Sequence, residues 1–256
     1  MVMTKSILLF DVDGTLLMTG GAGRIAFDGA FRDLFGIENA YEGTRPDGMT
    51  DPLIIQEIAE RRLGRPLSQE EFRNICDKYI FYFLGAIDSS ERFRLLPGVR
   101  NLFEILSEKN ELMIGVATGN FEVTAKSKLE RGGLRHFFKF GGFGDNAFDR
   151  TRILEIAAER GRELFRRSSP EAKEKSRPGE APYESCDTIP KDRIFVIGDT
   201  PLDIRAAKTL SFRTVAVATG RWTASELKAY GPDYVLEDFS DPQTFISIFR
   251  NGFEGK

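Results

Sequence analysis

The stretch FDVDGTL, residues 10–16, ends the apolar run Ile7-Leu8-Leu9-Phe10 on two carboxylates, Asp11 and Asp13. Residues two apart in extended backbone share a face, so these side chains come close together if strand geometry persists. Like charges at that spacing oppose each other's ionisation, and burial adds a desolvation cost. Chemistry can use such a pair, one carboxylate attacking as a nucleophile and the other acting as an acid. Two later clusters are equally rich in oxygen: Thr118-Gly119-Asn120, and Gly198-Asp199-Thr200-Pro201-Leu202-Asp203. Hard oxygen donors from Asp11 and Asp199, completed by waters, suit Mg²⁺, which usually takes one or two carboxylates and leaves positions for a phosphate. Such a cation would remove the repulsion between the acids.

These clusters need strand ends to hold them. Apolar runs predict strands at residues 7–10, 112–117, 137–140, 194–197 and 214–218, alternating after Pro97-Gly98 with helices near 99–108, 121–131, 151–165 and 202–209. Thr223 and Glu226 form a capping-box pattern that opens one more helix. The alternation implies an α/β fold, a doubly wound Rossmann-like parallel sheet with helices on both faces, because parallel strands need crossover connections. In such a sheet ligands bind at the carboxyl ends of the strands, where the topology reverses, and three strand ends here carry the polar clusters.

Between the first strand and residue 96 the pattern is helical and holds no convincing strand. Asp51-Pro52 reads as an N-cap and first helical position, and 72–87 as an amphipathic helix. The division is therefore a core of residues 1–18 and 96–256 and an inserted all-helical domain of residues 19–95. Residues 166–191, rich in Ser, Pro, Glu, Lys and Arg, are expected to be an exposed insertion loop within the core. Phe81, Phe83, Phe103, Phe137 and Phe138 are expected in core packing.

With 36 basic and 39 acidic residues the chain has a formal charge of −3, which gives no field suited to nucleic acid. Cys76 and Cys186 stand alone, at neither disulfide-framework nor zinc spacing, so a reducing compartment is expected. Asp11 and Asp13 interrupt the first apolar stretch before a signal core or membrane span is complete, so no membrane association and a cytoplasmic location are expected. His136, the sole histidine, precedes a predicted strand rather than following one, and reads as structural.

The segments DVDGTL, VATGN and GDTPLD, in this order and separation, resemble the motifs of the haloacid dehalogenase (HAD) superfamily, in its phosphoglycolate phosphatase-like and β-phosphoglucomutase-like subgroup, and the helical insertion resembles its C1-type cap. The resemblance covers the whole core. It implies a Mg²⁺-dependent phosphomonoester hydrolase acting on a small phosphorylated metabolite through an aspartyl-phosphate. Asp11 would attack phosphorus, and Asp13 would protonate the leaving alcohol and then activate water. Thr118 would hydrogen-bond the phosphoryl group beside Gly119 and Asn120, candidate substrate-binding residues. Asp11, Asp199 and the backbone carbonyl of Asp13 would hold Mg²⁺, with Asp203 orienting the metal shell or a basic partner. The third motif departs from the family, since a Lys-Pro pair is missing; Arg150, directly before a helix, is the candidate, with Arg152 the other choice.

The carboxylate at Asp13 separates this chain from dehalogenase-like and phosphonatase-like relatives, and from ion-pump relatives, which carry Thr there. A phosphomutase of the β-phosphoglucomutase kind shares all four motifs and is the alternative; a regulatory or binding protein on a hydrolase scaffold is another. GGAGR, residues 20–24, reads as a hinge between core and cap. Arg45, in the cap stretch GTRPDGMTD, is the candidate for a second anionic group of the substrate. Neither the substrate nor the oligomeric state follows from the sequence.

Overall fold

The structure, a computed structural model, describes residues 5–168 and 189–250. The apolar run at the start forms β1 (Ser6–Phe10), fully buried. It lies at the centre of a six-stranded sheet with β4 (Leu112–Ala117), β5 (Phe140–Gly142), β6 (Ile194–Gly198), β7 (Arg213–Val217) and β8 (Tyr234–Leu236). The order is β5-β4-β1-β6-β7-β8, and every pairing is parallel. The chain winds outward from β1 in both directions, so the carboxyl ends of β4, β1 and β6 adjoin at the switch point.

Alternation along β1 divides the core into two layers. Leu8 and Phe10 join the cluster on one face, which contains Leu102 and Phe103 of α4 (Val99–Ser107), Ala125 and Leu129 of α5 (Glu122–Arg131), and Phe245 and Phe249 of the last helix. Ile7 and Leu9 face the other layer, built on Ile153 and Ala157 of α6 (Arg150–Ser168) and Ala206 and Ala207 of α7 (Pro201–Thr209). Phe10 packs against Phe103 with ring centroids 5.0 Å apart, fixing the strand end that carries Asp11.

The inserted segment contains α1 (Ala22–Phe35), α2 (Asp51–Leu63) and α3 (Gln69–Ser89), which share a separate apolar cluster including Phe27, Phe31, Ile55, Ile58, Tyr79 and Phe83. Two short strands, β2 (Leu17–Met18) and β3 (Arg94–Leu95), pair antiparallel where the chain leaves and re-enters the core. No strand was expected between the first strand and residue 96; two residues are too few for a periodic signal, and only the meeting of the two linkers creates the pairing.

Several expectations need correction. The strand expected at 137–140 is replaced by a 3-10 turn, Arg135–Phe137, followed by β5 three residues later. Phe138 is buried and Phe137 packs partly against the same cluster, so the apolar run serves packing while the backbone curls. His136 lies in this turn. The N-cap of α2 is Thr50, whose hydroxyl accepts the Leu53 N–H at 3.3 Å, with Asp51 the first helical residue; the Asp51 carboxylate is turned toward the core instead. Phe81 is 69% exposed, because the buried stripe of α3 runs through Ile75, Tyr79, Phe83 and Ile87 and bypasses it. At the edges of the expected loop 166–191, α6 continues to Ser168 and a 3-10 turn starts at Lys191; residues 169–188 lie outside the described residues. The short α8 (Ala224–Lys228) opens on the predicted Thr223–Glu226 capping box. Neither β8 nor the last helix, α9 (Pro242–Arg250), was anticipated. Among the described residues no helix is long and apolar enough to cross a membrane.

Candidate active site

Asp11 follows β1 directly, held in sheet register by its N–H donating to Ile197 O at 2.9 Å. The chain then turns tightly at Gly14, whose N–H bonds to Leu17 O, and Asp13 emerges half-buried while Asp11 stays 7% exposed. Thr15, on the same turn, donates its hydroxyl to Asp199 Oδ1 at 3.0 Å and so ties the first motif to the end of β6. Thr118 continues β4, its N–H bonded to Gly142 O at 3.1 Å and its hydroxyl donating to Asn120 Oδ1 at 3.1 Å.

Arg150 begins α6 and is buried against two acids. Its Nη2 lies 3.0 Å from Asp11 Oδ1 and forms a hydrogen-bonded ion pair with Asp203 Oδ1. Asp203 has a second task. Its Oδ2 accepts the Thr200 N–H at 3.2 Å and the Thr200 hydroxyl at 2.7 Å in the capping box of α7. One carboxylate thus fixes both a helix start and the arginine beside the reacting end of β1. Arg152, the other third-motif candidate, pairs with Glu155 on the surface.

The electrostatics are short of positive charge. Asp11, Asp199 and Asp203 are all buried, each offering an oxygen within 4.8 Å of the others. Burial, together with the charges of Asp203 and Asp13 and against the attraction of Arg150, pushes the Asp11 carboxyl up to about 6. Burial and the neighbouring Asp11 and Asp203 charges hold Asp199 well above the usual carboxylate range, against the Thr15 hydrogen bond. Burial disfavours the Arg150 cation, yet Asp11 and Asp203 raise its pKa above the ordinary value. Three buried hard-oxygen donors facing one guanidinium fit a divalent cation, and the Arg150 Nε is itself buried without a partner.

These groups line a cleft of about 630 Å³ between the sheet end and the helical insertion. Asp11, Asp13, Thr118, Gly119, Asn120, Arg150 and Asp199 all border it, while Asp203 lies behind Arg150. Arg45 does not: it is exposed and absent from the lining, whereas Arg24, Arg92, Arg94 and Arg221 stand around the mouth. Arg221 is paired with Asp47 at 2.6 Å.

Sequence reasoning missed Lys128, which is 3% exposed and places Nζ 2.5 Å from Asp13 Oδ2. A signal was available. Thr124, Ala125, Lys128 and Leu129 form the buried stripe of α5, so the lysine stands where the helix pattern calls for an inward residue.

A parallel α/β sheet with paired aspartates, a threonine and a buried cation at its switch point defines a hydrolase-like site. Comparison with known proteins agrees. The HAD-hydrolase-like family model matches residues 162–242. A Dickeya dadantii protein named "Probable phosphatase IndB" is 24% identical over 93% of this chain and 91% of its own length. The phosphoglycolate phosphatase of Synechococcus elongatus is 25% identical over 91% of this chain and 93% of its own. The solved structure of a Bacteroides vulgatus protein named "Putative beta-phosphoglucomutase" shares the fold, with a TM-score of 0.65 at 18% identity over 98% of this chain and 92% of that one. The chain is thus similar in sequence to curated phosphatases, carries a HAD-hydrolase-like segment, and shares its fold with the solved structure.

Proposed function

We propose that the protein is a Mg²⁺-dependent phosphomonoester hydrolase that acts on a small phosphorylated metabolite through an aspartyl-phosphate. The observation behind this reading is the convergence of Asp11, Asp13, Thr118, Arg150 and Asp199, from four separate segments, on one cleft. The Asp11 carboxylate attacks phosphorus; the P–O bond to the leaving group breaks as protonated Asp13 gives its proton to the departing oxygen, leaving an alcohol and a phosphoryl group on Asp11. Asp13, now a carboxylate, takes a proton from water as the water oxygen attacks phosphorus, which frees phosphate and restores Asp11. Arg150 and the Thr118 hydroxyl hold the phosphoryl oxygens, and the unpartnered Arg150 Nε is a donor in reserve for that purpose. Asp11, Asp199 and the Asp13 carbonyl would hold Mg²⁺, which when bound supplies positive charge against the clustered carboxylates and the phosphoryl group.

The same reading takes residues 1–18 and 96–256 as the core and residues 19–95 as the cap, with Gly20 and Gly21 at its hinge. It is tested by phosphate release from a panel of phosphorylated metabolites, phosphoglycolate and sugar phosphates included, with Mg²⁺ and with chelator, for wild type beside Asp11→Asn. Metal-dependent release lost in the variant is expected. Turnover by Asp11→Asn equal to wild type would refute the nucleophile assignment, and a requirement for a bisphosphate activator would identify a mutase instead.

A further inference from the structure

The proposed chemistry leaves one buried carboxylate unused. Asp51 belongs to α2 of the inserted segment, yet it is 3% exposed and directed at the core. Its backbone N–H donates to Gly119 O at 2.8 Å, and its Oδ2 accepts the Phe121 N–H at 2.9 Å; the Thr124 hydroxyl lies 3.3 Å from the same oxygen and 2.9 Å from Phe121 O. Phe121 is the N-cap of α5 and offers no side-chain cap of its own, so the carboxylate that serves this helix start comes from the other domain. Asp51 Oδ1 accepts from Asn120 Nδ2 at 3.4 Å, and the same amide's oxygen receives the Thr118 hydroxyl. A continuous chain therefore runs from the cap carboxylate through Asn120 to the hydroxyl that faces the phosphoryl site.

Packing makes this contact close. A Cβ on Gly119 would come 2.6 Å from Met49 O and 2.8 Å from the Thr50 Cα, so only glycine lets the two loops approach this far. Gly48, at φ 74°, is packed in the same way against Thr200 and Leu202 of the strand-end motif that carries Asp199. Burial raises the Asp51 pKa, while the Lys128 charge and the Phe121 N–H favour its ionised form. Lys128 in turn holds Asp13, which brings the proposed acid-base carboxylate within reach of the cap loop's influence.

Building on the phosphatase reading, we propose that Asp51 is a positioning residue: its carboxylate orders the Thr118–Phe121 turn and the start of α5 only while the cap is seated, so that cap closure and assembly of the phosphoryl site are one event. Binding energy used to seat the cap would then appear in the chemical step rather than in substrate affinity.

The test compares the full-length protein with Asp51→Ala, with the milder Asp51→Asn and with Thr124→Val, which removes the hydroxyl shared between this carboxylate and Phe121 O. Hydrogen exchange, read without any substrate, should quicken at the amides of residues 118–125 in Asp51→Ala while β1 and β6 stay protected. Turnover of a small phosphomonoester should fall by about tenfold to a hundredfold in kcat, with KM within about threefold, because a displaced phosphoryl site lowers rate more than affinity. The other two variants should fall between. Unchanged exchange at 118–125, exchange quickened throughout the sheet, or a raised KM at unchanged kcat would each overturn the proposal. If the wild type hydrolyses nothing, the phosphatase reading fails, and the exchange comparison still decides whether Asp51 orders the turn.

Discussion

Lys128 Nζ stands 2.5 Å from Asp13 Oδ2, with the lysine side chain 4% exposed and the aspartate side chain 42% exposed. The pair joins α5 to the turn after β1, and the ammonium also lies over the Phe83 ring at 5.2 Å. In the proposed mechanism Asp13 gives and then takes a proton, which needs a fixed direction, and this lysine is placed to supply it. Lys128→Met should therefore lower kcat by about tenfold or more, the scale at which misplaced acid-base groups show. Steady-state kinetics on the best substrate of the panel check this, and an unchanged kcat would remove Lys128 from the catalytic arrangement.

Arg150 is the only cation bonded to Asp11 and Asp203 among the described residues. Its removal leaves buried acids uncompensated, so Arg150→Ala should lose about 3–5 kcal/mol of stability in metal-free buffer as well as nearly all turnover. Denaturant unfolding beside the activity assay measures both. Arg150→Lys should recover less than half of either, because a compact, strongly hydrated ammonium on a different stem does not reproduce the planar guanidinium's placement of Nη2 between the two carboxylates.

The clustered acids predict a response to Mg²⁺ that needs no substrate. A ligand that binds only the folded chain raises its stability, by about 2.7 kcal/mol at a hundredfold excess over Kd. Wild type should melt at a higher temperature in Mg²⁺ than in chelator. Asp199→Asn should lose most of that increment, since Asp199 is one of the three converging carboxylates. An equal Mg²⁺ increment in both proteins would place the metal elsewhere.

Glu71 governs a pH effect far from the site. Its carboxylate receives two Arg65 N–H bonds at 2.7 and 2.9 Å and the Ser68 N–H at 2.8 Å in the capping box of α3. The Arg65 hydrogen bond first, then Ser68, lowers its pKa from 4.5 to about 2. A carboxylate with a depressed folded pKa contributes stability above its unfolded value and loses it as pH falls toward the folded one. The melting-temperature gap between wild type and Glu71→Gln should thus be full at pH 6, shrink below pH 4.5 and vanish near pH 2. A gap constant across that range would separate it from Glu71 ionisation.

Strands at 112–117 and 194–197 were legible because fully apolar runs bounded by polar clusters suit strands buried on both faces. The capping box at Thr223 was equally visible, since a helix start is written in four consecutive residues, whereas the one at Thr200 was not read. Strand β5 was misplaced because Phe137 and Phe138 satisfy packing and not sheet register. Lys128 was overlooked because KSKLER is charged on most of its length and nothing nearby in sequence reveals which carboxylate it meets.

The candidate side chains at the strand ends were legible in the sequence alone. Asp11, Asp13, Thr118, Asp199 and Asp203 follow apolar runs, and a parallel sheet must bring such ends together at its reversal point. Their partnerships were decided only by tertiary structure. That Arg150 rather than Arg152 turns inward, that Asp203 holds it, and that Asp51 leaves the cap to serve α5 all depend on approaches between segments distant in sequence, 53 residues for Arg150 and Asp203 and 70 for Asp51 and Phe121. Local sequence fixes helix starts and strand faces within a few residues, whereas the direction of a buried charge is settled by whichever opposite charge or hydrogen-bond donor the fold delivers to it.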